Sequence, residues 1–258
     1  MMTPPPYIHE DLVQEMLRHA EADFPREACG LVVGTLEYPR YLPRANSADD
    51  PEADFRISPQ AYAGAARQGK VLAVVHSHPR GPARPSEADM VGQISSRLPW
   101  AVVPMLTTAD GTGHAQRPLW WGPDVPVAPL LERPFVIGLA DCWALARDWY
   151  RTELGLTLPD FPRPDSADWW EDGRSTILEH MTQAGFVRCD DPAPDGIGLP
   201  GDGFIMQIGA GVANHVGVYL GGGIMLHHLR DRLSRREPVH RWRSHILYRV
   251  RLAKGAAA

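Results

Sequence analysis

Hydrophobic residues recur along this chain with different spacings, and the spacing indicates which segments form helices and which form strands. Between Cys142 and Trp149, apolar residues lie three and four positions apart, as on one face of a helix. The run 71–75 is continuously apolar, as in a buried strand. Over the whole chain, such patterns predict helices at 9–22, 59–68, 86–97, 141–154 and 174–184, and strands at 28–36, 71–77, 100–107, 203–208, 212–220, 224–228 and 244–252.

The order of these elements divides the chain into two halves. Helices and strands alternate in the first half, which indicates α/β layers, whereas helices precede an antiparallel sheet in the second, which indicates an α+β fold. Five prolines lie between Arg117 and Phe135, a composition typical of a stiff connector. Because 258 residues approach the size at which two cores form, we predict domains at 1–120 and 134–258, joined by a Pro-rich linker at 121–133.

Composition and charge narrow the possible partners. With 26 basic and 31 acidic residues, the net charge of −5 gives no general case for nucleic-acid binding. The sequence predicts no membrane span and no signal peptide, so we expect synthesis in the cytoplasm. Three cysteines fit a reducing compartment with one working thiol, and Cys29 and Cys189 are interpreted as structural. The arginines of 230–251 are expected to form a solvated surface, with contact to an anionic wall polymer as the alternative.

Two histidines and an aspartate form the first candidate for chemistry. His76 and His78 end an apolar strand, and residues two apart on a strand point to the same face, so both imidazoles can bind one ion. Asp89 adds a carboxylate, and three ligands leave the fourth position of a tetrahedral zinc ion open for water, as in catalytic sites. Glu27, before the strand at 28–36, is the candidate for proton transfer. The sequence therefore predicts a hydrolytic zinc site.

Ser86 and Asp89 can be interpreted as a helix start or as part of the metal site, and the two interpretations are compatible. Ser86 and Asp89 follow Pro85 and match a helix start at which the serine side chain caps the first turn. Such a helix start places Asp89 beside the end of the strand, so capping explains the geometry and does not compete with metal binding. A metal-free site with structural histidines, or an inactive relic, is the alternative.

The motifs of the first half resemble the JAMM (MPN-type) metallopeptidase family. The shared pattern is a glutamate before an apolar strand, His-x-His, seven residues that begin with proline, and Ser-x-x-Asp. The resemblance implies zinc ligands at His76, His78 and Asp89. It also implies a general acid/base at Glu27, an oxyanion-stabilising serine at Ser86, and cleavage of isopeptide or C-terminal amide bonds.

The second half contains a cysteine and histidines in an arrangement typical of a thiol hydrolase. Cys142 lies near the start of the helix at 141–154, where the helix dipole and a nearby histidine favour the thiolate. His215 and His227 lie on the two strands of a predicted hairpin, so His215 is the candidate base and His227 the candidate orienting group. His228 is expected to face the other way. An inert core cysteine with merely hydrogen-bonded histidines is the alternative.

Three motifs occur in order in the second half: an Asp-Cys pair at a helix start, Gly201-Asp202 before a strand, and His-Val-Gly-Val-Tyr-Leu-Gly from His215. Together they resemble the NlpC-type cysteine peptidase family. The resemblance implies a papain-like core with nucleophile, base and orienter at Cys142, His215 and His227. It also implies cleavage between D-glutamate and a diamino acid in peptidoglycan stem peptides. Trp143-Ala144 departs from the Ser-Gly usual in wall-cutting members, which leaves the wall substrate open.

A JAMM half followed by an NlpC half resembles the tail-tip assembly proteins of lambda-like tailed phages and prophages. The resemblance implies a JAMM-type α/β sandwich followed by a papain-like domain with helices packed on an antiparallel sheet. It further implies a two-site hydrolase of the tail tip that uses zinc and acts on peptidoglycan stem peptides or peptide-like substrates, with tail-tip proteins as partners. Two alternatives stay open: a structural assembly factor with inactive hydrolase folds, and a host isopeptidase or wall-fragment amidohydrolase.

Overall fold

The computed structural model describes residues 3–166, 168–253 and 255. The chain forms two compact units, and the division falls between Ala128 and Pro129. The elements of the first unit are α1 (Glu10–Asp23), β1 (Cys29–Gly34), β2 (Pro39–Arg44), α2 (Pro59–Ala66), β3 (Lys70–His78), α3 (Glu87–Ser96), β4 (Trp100–Thr107), β5 (Gly113–Ala115) and β6 (Leu119–Trp121).

Strand β3 lies in the interior of the first sheet, and its sequence explains this position. Every residue after Lys70 is buried, as in a strand that is covered on both faces. β1 pairs antiparallel with β2 and β3, whereas β4 runs parallel to β3 and is connected to it through α3. Consequently the end of β3, the start of β1 and the start of α3 lie at the same end of the sheet.

The second unit packs helices on an antiparallel sheet. Its elements are α4 (Cys142–Glu153), α5 (Thr176–Gln183), β7 (Phe186–Cys189), β8 (Gly203–Met206), β9 (His215–Gly221), β10 (Ile224–His227), β11 (Arg235–Pro238) and β12 (Ile246–Leu252). The strand order is β11-β10-β9-β8-β12-β7. Helix α4 buries its apolar side chains in the core beside the sheet, among them Trp143, Leu145 and Trp149. The predicted class of fold, two domains that combine helices with sheets, is confirmed.

The structure differs from the predicted linker at 121–133 at both of its ends. Trp121 is the last residue of β6 and is buried. At the other end, the Ser234 hydroxyl donates to the carbonyl oxygen of Leu130 at 2.9 Å and accepts from the backbone N–H of Arg133 at 2.9 Å. These hydrogen bonds fix Leu130 and Arg133, although the prolines near them leave the sequence without a periodic pattern. Each compact unit therefore includes part of the predicted linker.

Five strands have no counterpart among the predicted elements: β2, β5, β6, β7 and β11. β2, β7 and β11 are edge strands, and β5 and β6 each span three residues. Edge strands tolerate proline and charged residues, as in the sequences Pro39–Arg44 and Arg235–Pro238. The alternating pattern that reveals a half-buried strand is therefore weak in these segments.

Candidate functional sites

Strand pairing places the end of β3 beside the start of β1. The antiparallel pairing continues past β1, because the Ser77 N–H donates to the Ala28 carbonyl at 2.9 Å and the Ala28 N–H donates to Ser77 Oγ at 2.8 Å. One further residue of this register puts Glu27 opposite His78. A carboxyl group before one strand therefore faces the histidines that end its neighbour.

Side-chain atoms of His76, His78 and Asp89 converge on one point. The two Nε2 atoms lie 3.1 Å apart, and they lie 3.1 Å (His76) and 3.3 Å (His78) from the carboxylate oxygens of Asp89. Helix α3 brings Asp89 there through a capping box, in which the Asp89 N–H donates to Ser86 Oγ at 3.0 Å and the Ser86 N–H donates to Asp89 Oδ2 at 2.8 Å. Ser86 thus caps the helix and holds the carboxylate in place.

Aromatic rings orient the imidazole of His76. Phe55 stacks on it with ring centroids 4.4 Å apart and an interplanar angle of 16°. The rings of Trp100 and Trp121 meet it edge-on at 6.0 and 6.4 Å. Its Nδ1 atom is buried and has no hydrogen-bond partner among the described residues. Stacking and the contact of Nε2 with Asp89 therefore orient this side chain.

The converging donor atoms fit a divalent cation. Nδ1 of His78 lies 3.2 Å from the carbonyl oxygen of Pro82, which favours a proton on Nδ1 and leaves the Nε2 lone pair for a ligand bond. Donors held tetrahedrally around zinc are about 3.3 Å apart, close to the 3.1–3.3 Å separations found here. Although burial acts in the opposite direction, the two histidines hold the pKa of Asp89 well below its usual range. The group has the number, kind and charge of ligands that a metal ion requires.

Glu27 is a buried carboxyl group beside this cluster. Burial raises the pKa of Glu27 to about 8, an effect that the charges of Asp89 and Asp54 increase and that of His78 opposes. A carboxyl whose pKa lies near neutrality is suited both to accept and to return a proton.

Asn46, which the sequence analysis did not single out, ties the segment 46–56 to the backbone of Glu27. Its Nδ2 donates to the carbonyl oxygens of Glu27 at 3.0 Å and Asp54 at 2.9 Å, and its Oδ1 accepts from the N–H of Arg56 at 3.0 Å. The same segment contains Phe55, which stacks on His76. Asparagine in a loop is a common turn residue, so its sequence alone gives no sign of this role.

Replacing Asn46 by alanine is expected to loosen the segment 46–56, because backbone carbonyls of Glu27 and Asp54 lose their donors. Loss of these bonds is expected to lower the free energy of opening the segment by about 2–3 kcal/mol, which makes amide exchange about 30- to 150-fold faster. Hydrogen–deuterium exchange read by mass spectrometry on peptides that cover the segment measures this. Ser47→Ala is the matched control, since it removes one bond to Arg56 in the same segment. Unchanged exchange in Asn46→Ala would contradict the interpretation.

In the second unit, Cys142 is the first residue of α4, at a helix start that Asp141 builds. The Asp141 carboxylate accepts from the N–H groups of Ala144 and Gly138, both at 2.8 Å. Arg163 pairs with the same carboxylate at 2.9 Å. The local structure explains the Asp-Cys pair: Asp141 caps the helix, and Cys142 lies at its N-terminus.

His215 and His227 form a relay that ends on a carboxylate. Nε2 of His215 lies 3.2 Å from Nδ1 of His227, and Nε2 of His227 lies 3.1 Å from Oε2 of Glu237. Trp242 Nε1 donates to the same oxygen at 2.6 Å. Both histidines are buried. The relay joins strands β9, β10 and β11.

The role of Glu237 could not be predicted from the sequence, and strand register shows why. Glu237 lies opposite Met225 in the β10–β11 pair, and Met225 is two residues from His227 on the same face. Only the register makes these side chains neighbours. His228 does not join this relay: its Nε2 lies 3.1 Å from the carbonyl oxygen of Arg232, and it lines the cleft of the cysteine together with His215.

The electrostatic setting of Cys142 differs from the prediction. Burial raises the pKa of Cys142 to about 12, and the Asp141 carboxylate adds to the effect, whereas the N–H groups of Val216 and Trp143 oppose it. Desolvation therefore acts against the thiolate predicted at this helix start, and its effect on the pKa is larger than the opposing ones. Burial also holds the pKa of His215 well below its usual value. The pair consists of a neutral thiol and a neutral imidazole that line one cleft of about 390 Å³.

The Gly201-Asp202 element is an anchor within the sheet. Asp202 is buried, and Arg251 donates to its two carboxylate oxygens at 2.6 and 2.8 Å. Gly201 has a φ of +93°, a conformation that favours glycine. This part of the motif stabilises the domain and does not line the cleft of the cysteine.

Family comparisons agree with the two units. Residues 9–114 match the family of prokaryotic homologs of the JAB domain, and residues 132–251 match the NlpC/P60 family. Fold and sites therefore define a protein with a JAB-type domain followed by an NlpC/P60 domain. Among the described residues, no helix is long and apolar enough to cross a membrane.

Individual relatives narrow this class. The tail tip assembly protein K of Escherichia phage N15 is 36% identical over 235 residues, which cover 90% of this chain and 89% of the relative. The protein of the same name from Escherichia phage lambda is 36% identical over 204 residues, or 78% of this chain and 92% of the relative. The chain belongs to the tail tip assembly protein K family, which confirms the predicted resemblance.

A third relative is similar to part of the chain. The probable TtuB-protein conjugate cleaving protease of Thermus thermophilus is 33% identical over 101 residues, which cover 37% of this chain and 68% of the relative.

Proposed function

We propose that this chain is a two-site hydrolase of a phage or prophage tail tip, active during tail assembly or cell-wall penetration. A zinc site in the N-terminal domain cleaves peptide or isopeptide bonds, and a cysteine site in the C-terminal domain cleaves stem-peptide bonds of peptidoglycan. The observation that carries the proposal is the presence, in separate domains, of a three-ligand cluster beside a buried acid and of a cysteine beside a histidine relay. The protein is made in the host cytoplasm and joins tail-tip proteins in the particle.

The names of the relatives support this proposal. The two that align with most of the chain are tail tip assembly proteins, which favours a phage protein over a host isopeptidase. The Thermus relative is named as a protease that cleaves a protein conjugate, which is in line with hydrolysis of peptide or isopeptide bonds in the JAB-type half.

In the N-terminal domain, His76, His78 and Asp89 hold zinc, which supplies a Lewis acid and an activated water when it is bound. The buried Glu27 accepts a proton during attack and returns it to the leaving amine. Ser86 Oγ accepts a bond from the Asp89 N–H, which uses a lone pair and leaves the hydroxyl proton for the oxyanion.

In the C-terminal domain, the relay sets the protonation of the base. Although burial acts in the opposite direction, hydrogen bonds from Trp242 and His227 hold the pKa of Glu237 below its usual value. The ionised Glu237 accepts the Nε2–H of His227, whose Nδ1 then accepts the Nε2–H of His215. Nδ1 of His215 therefore keeps its lone pair. It takes the proton of the Cys142 thiol as the sulfur attacks the scissile carbonyl, and passes it to the leaving amine as the C–N bond breaks and a thioester forms. Water, deprotonated by the same nitrogen, then cleaves the thioester, which releases the carboxylic acid and returns the proton to the thiol.

Mass spectrometry of defined stem peptides tests the proposal. Reduced full-length protein is incubated with a peptide that contains the D-glutamyl-diamino acid bond, beside the variants Cys142→Ala and His76→Ala. We expect cleavage by the wild type and by His76→Ala, and none by Cys142→Ala. The absence of cleavage by folded, reduced wild-type protein would overturn the wall-hydrolase assignment, and cleavage by Cys142→Ala would overturn the assignment of the nucleophile.

A structural assembly factor with inactive hydrolase folds is the second candidate. Two observations favour it: Trp143 follows the cysteine where wall-cutting NlpC relatives usually have serine, and burial raises the pKa of Cys142 to about 12. This candidate predicts normal tail assembly when Cys142→Ala is combined with His76→Ala. Loss of assembly with both domains folded supports the hydrolase instead.

A further inference from the structure

Among the described residues, the cleft of the cysteine site is lined by one arginine that has no ion-pair partner. Among its charged side chains, Asp141 pairs with Arg163 at 2.9 Å, and Arg230 pairs with Asp168 at 2.8 Å. Arg232 also lines the cleft, and its exposed side chain has no ion pair or hydrogen bond among the described residues. The histidines of the cleft do not add to this charge, because burial lowers the pKa of each.

The backbone that carries Arg232 is firmly held. Its carbonyl oxygen lies 3.1 Å from Nε2 of the buried His228. Two residues further on, the buried Ser234 hydroxyl donates to the Leu130 carbonyl and accepts from the Arg133 N–H, both at 2.9 Å. A side chain on a fixed base loses less conformational freedom when it binds a ligand than one on a mobile loop.

The remaining walls of the cleft are mostly apolar. They include Phe135, Trp169, Trp170, Ile177, Ile208 and Trp242. An apolar cleft lined by one arginine without an ion-pair partner suits a peptide that has small apolar groups and a carboxylate within reach of that arginine. Guanidinium groups bind carboxylates through two parallel hydrogen bonds, which adds geometric selectivity to charge attraction.

We propose that Arg232 selects substrates that carry a free carboxylate beside the scissile amide. The inference rests on the proposed stem-peptide hydrolysis and names the substrate class of that site. A D-glutamyl residue that is joined through its side-chain carboxyl keeps its α-carboxylate close to the scissile carbonyl, and amidation of that group removes the charge. Arg232 therefore distinguishes the acid form of the stem peptide from the amidated form.

Calorimetric titration tests this selection without turnover. Full-length Cys142→Ala protein is titrated with the tripeptide L-alanyl-γ-D-glutamyl-meso-diaminopimelate and with its α-amide at the glutamyl residue. We expect the acid to bind about 10-fold more tightly, as for one charge-assisted contact in a partly exposed site. Addition of Arg232→Gln is expected to remove the preference, and Arg232→Lys to retain part of it, because the charge stays while the paired hydrogen bonds are lost.

Arg236→Gln is the matched control. Arg236 is exposed and is not among the residues that line this cleft, so the substitution changes net charge equally and should keep the preference. The inference is overturned if the preference persists in Arg232→Gln, if Arg236→Gln removes it equally, or if neither peptide binds. Wild-type cleavage of acid and amide at equal kcat/KM would overturn the selection and leave the hydrolase standing. Selective binding without cleavage would support the selection and overturn the proposed hydrolysis.

Discussion

His76→Ala is expected to abolish stoichiometric zinc binding by this chain. The substitution removes one of three converging donors and leaves His78 and Asp89, which lie 3.3 Å apart through Nε2 and Oδ2. Each ligand contributes a share of the zinc-binding free energy, so the affinity is expected to fall roughly 10³-fold. The substitution also removes the ring on which Phe55 stacks. His78 and Asp89 are therefore expected to be packed less tightly.

Metal content after gel filtration, measured by mass spectrometry, and competition with a chromophoric chelator give the stoichiometry and the affinity. His114→Ala is the matched control, because this exposed histidine of β5 lies outside the ligand group. Asp89→Asn keeps the size of its side chain and removes the charge, so it is expected to weaken zinc binding without leaving a cavity. One equivalent of tightly bound zinc in both His76→Ala and Asp89→Asn would show that these residues are not the ligands.

The convergence of His76, His78 and Asp89 could be predicted from sequence because their relations are local. His76 and His78 share a face of one strand, and Asp89 is fixed by a capping pattern that spans the four residues from Ser86 to Asp89. Asn46 belongs to a loop, and its bond to the backbone of Glu27 appears only when the chain has folded. Sequence periodicity predicts relations within one element, whereas contacts between a loop and a strand depend on the tertiary arrangement.

The sign of the pKa shift at Cys142 illustrates the same limit. The helix start was predicted correctly, and a helix dipole alone lowers the pKa of a thiol. The outcome depends on how much water reaches the sulfur, and that quantity is set by side chains distant in sequence. Because burial dominates here, we expect any hydrolysis at this site to need a base that removes the thiol proton during attack, instead of a preformed thiolate.

His215→Ala is expected to lower kcat/KM for the stem peptide about as much as Cys142→Ala, roughly 10³- to 10⁴-fold, because a neutral thiol depends on the base that takes its proton during attack. The outer relay should matter less. Glu237→Gln keeps the shape of the side chain but no longer fixes the tautomer of His227, so a loss of about 10- to 100-fold is expected.

Peptide cleavage followed by mass spectrometry at several substrate concentrations separates kcat from KM for these variants. His240→Ala, an exposed histidine of the same domain, is expected to behave as the wild type. If the relay acts by orienting the base, Glu237→Gln lowers kcat and leaves KM nearly unchanged, since Glu237 does not line the cleft. Wild-type rates in His215→Ala would exclude it as the base, and a purely KM effect in Glu237→Gln would mean that the carboxylate shapes the cleft instead of setting the proton on His215.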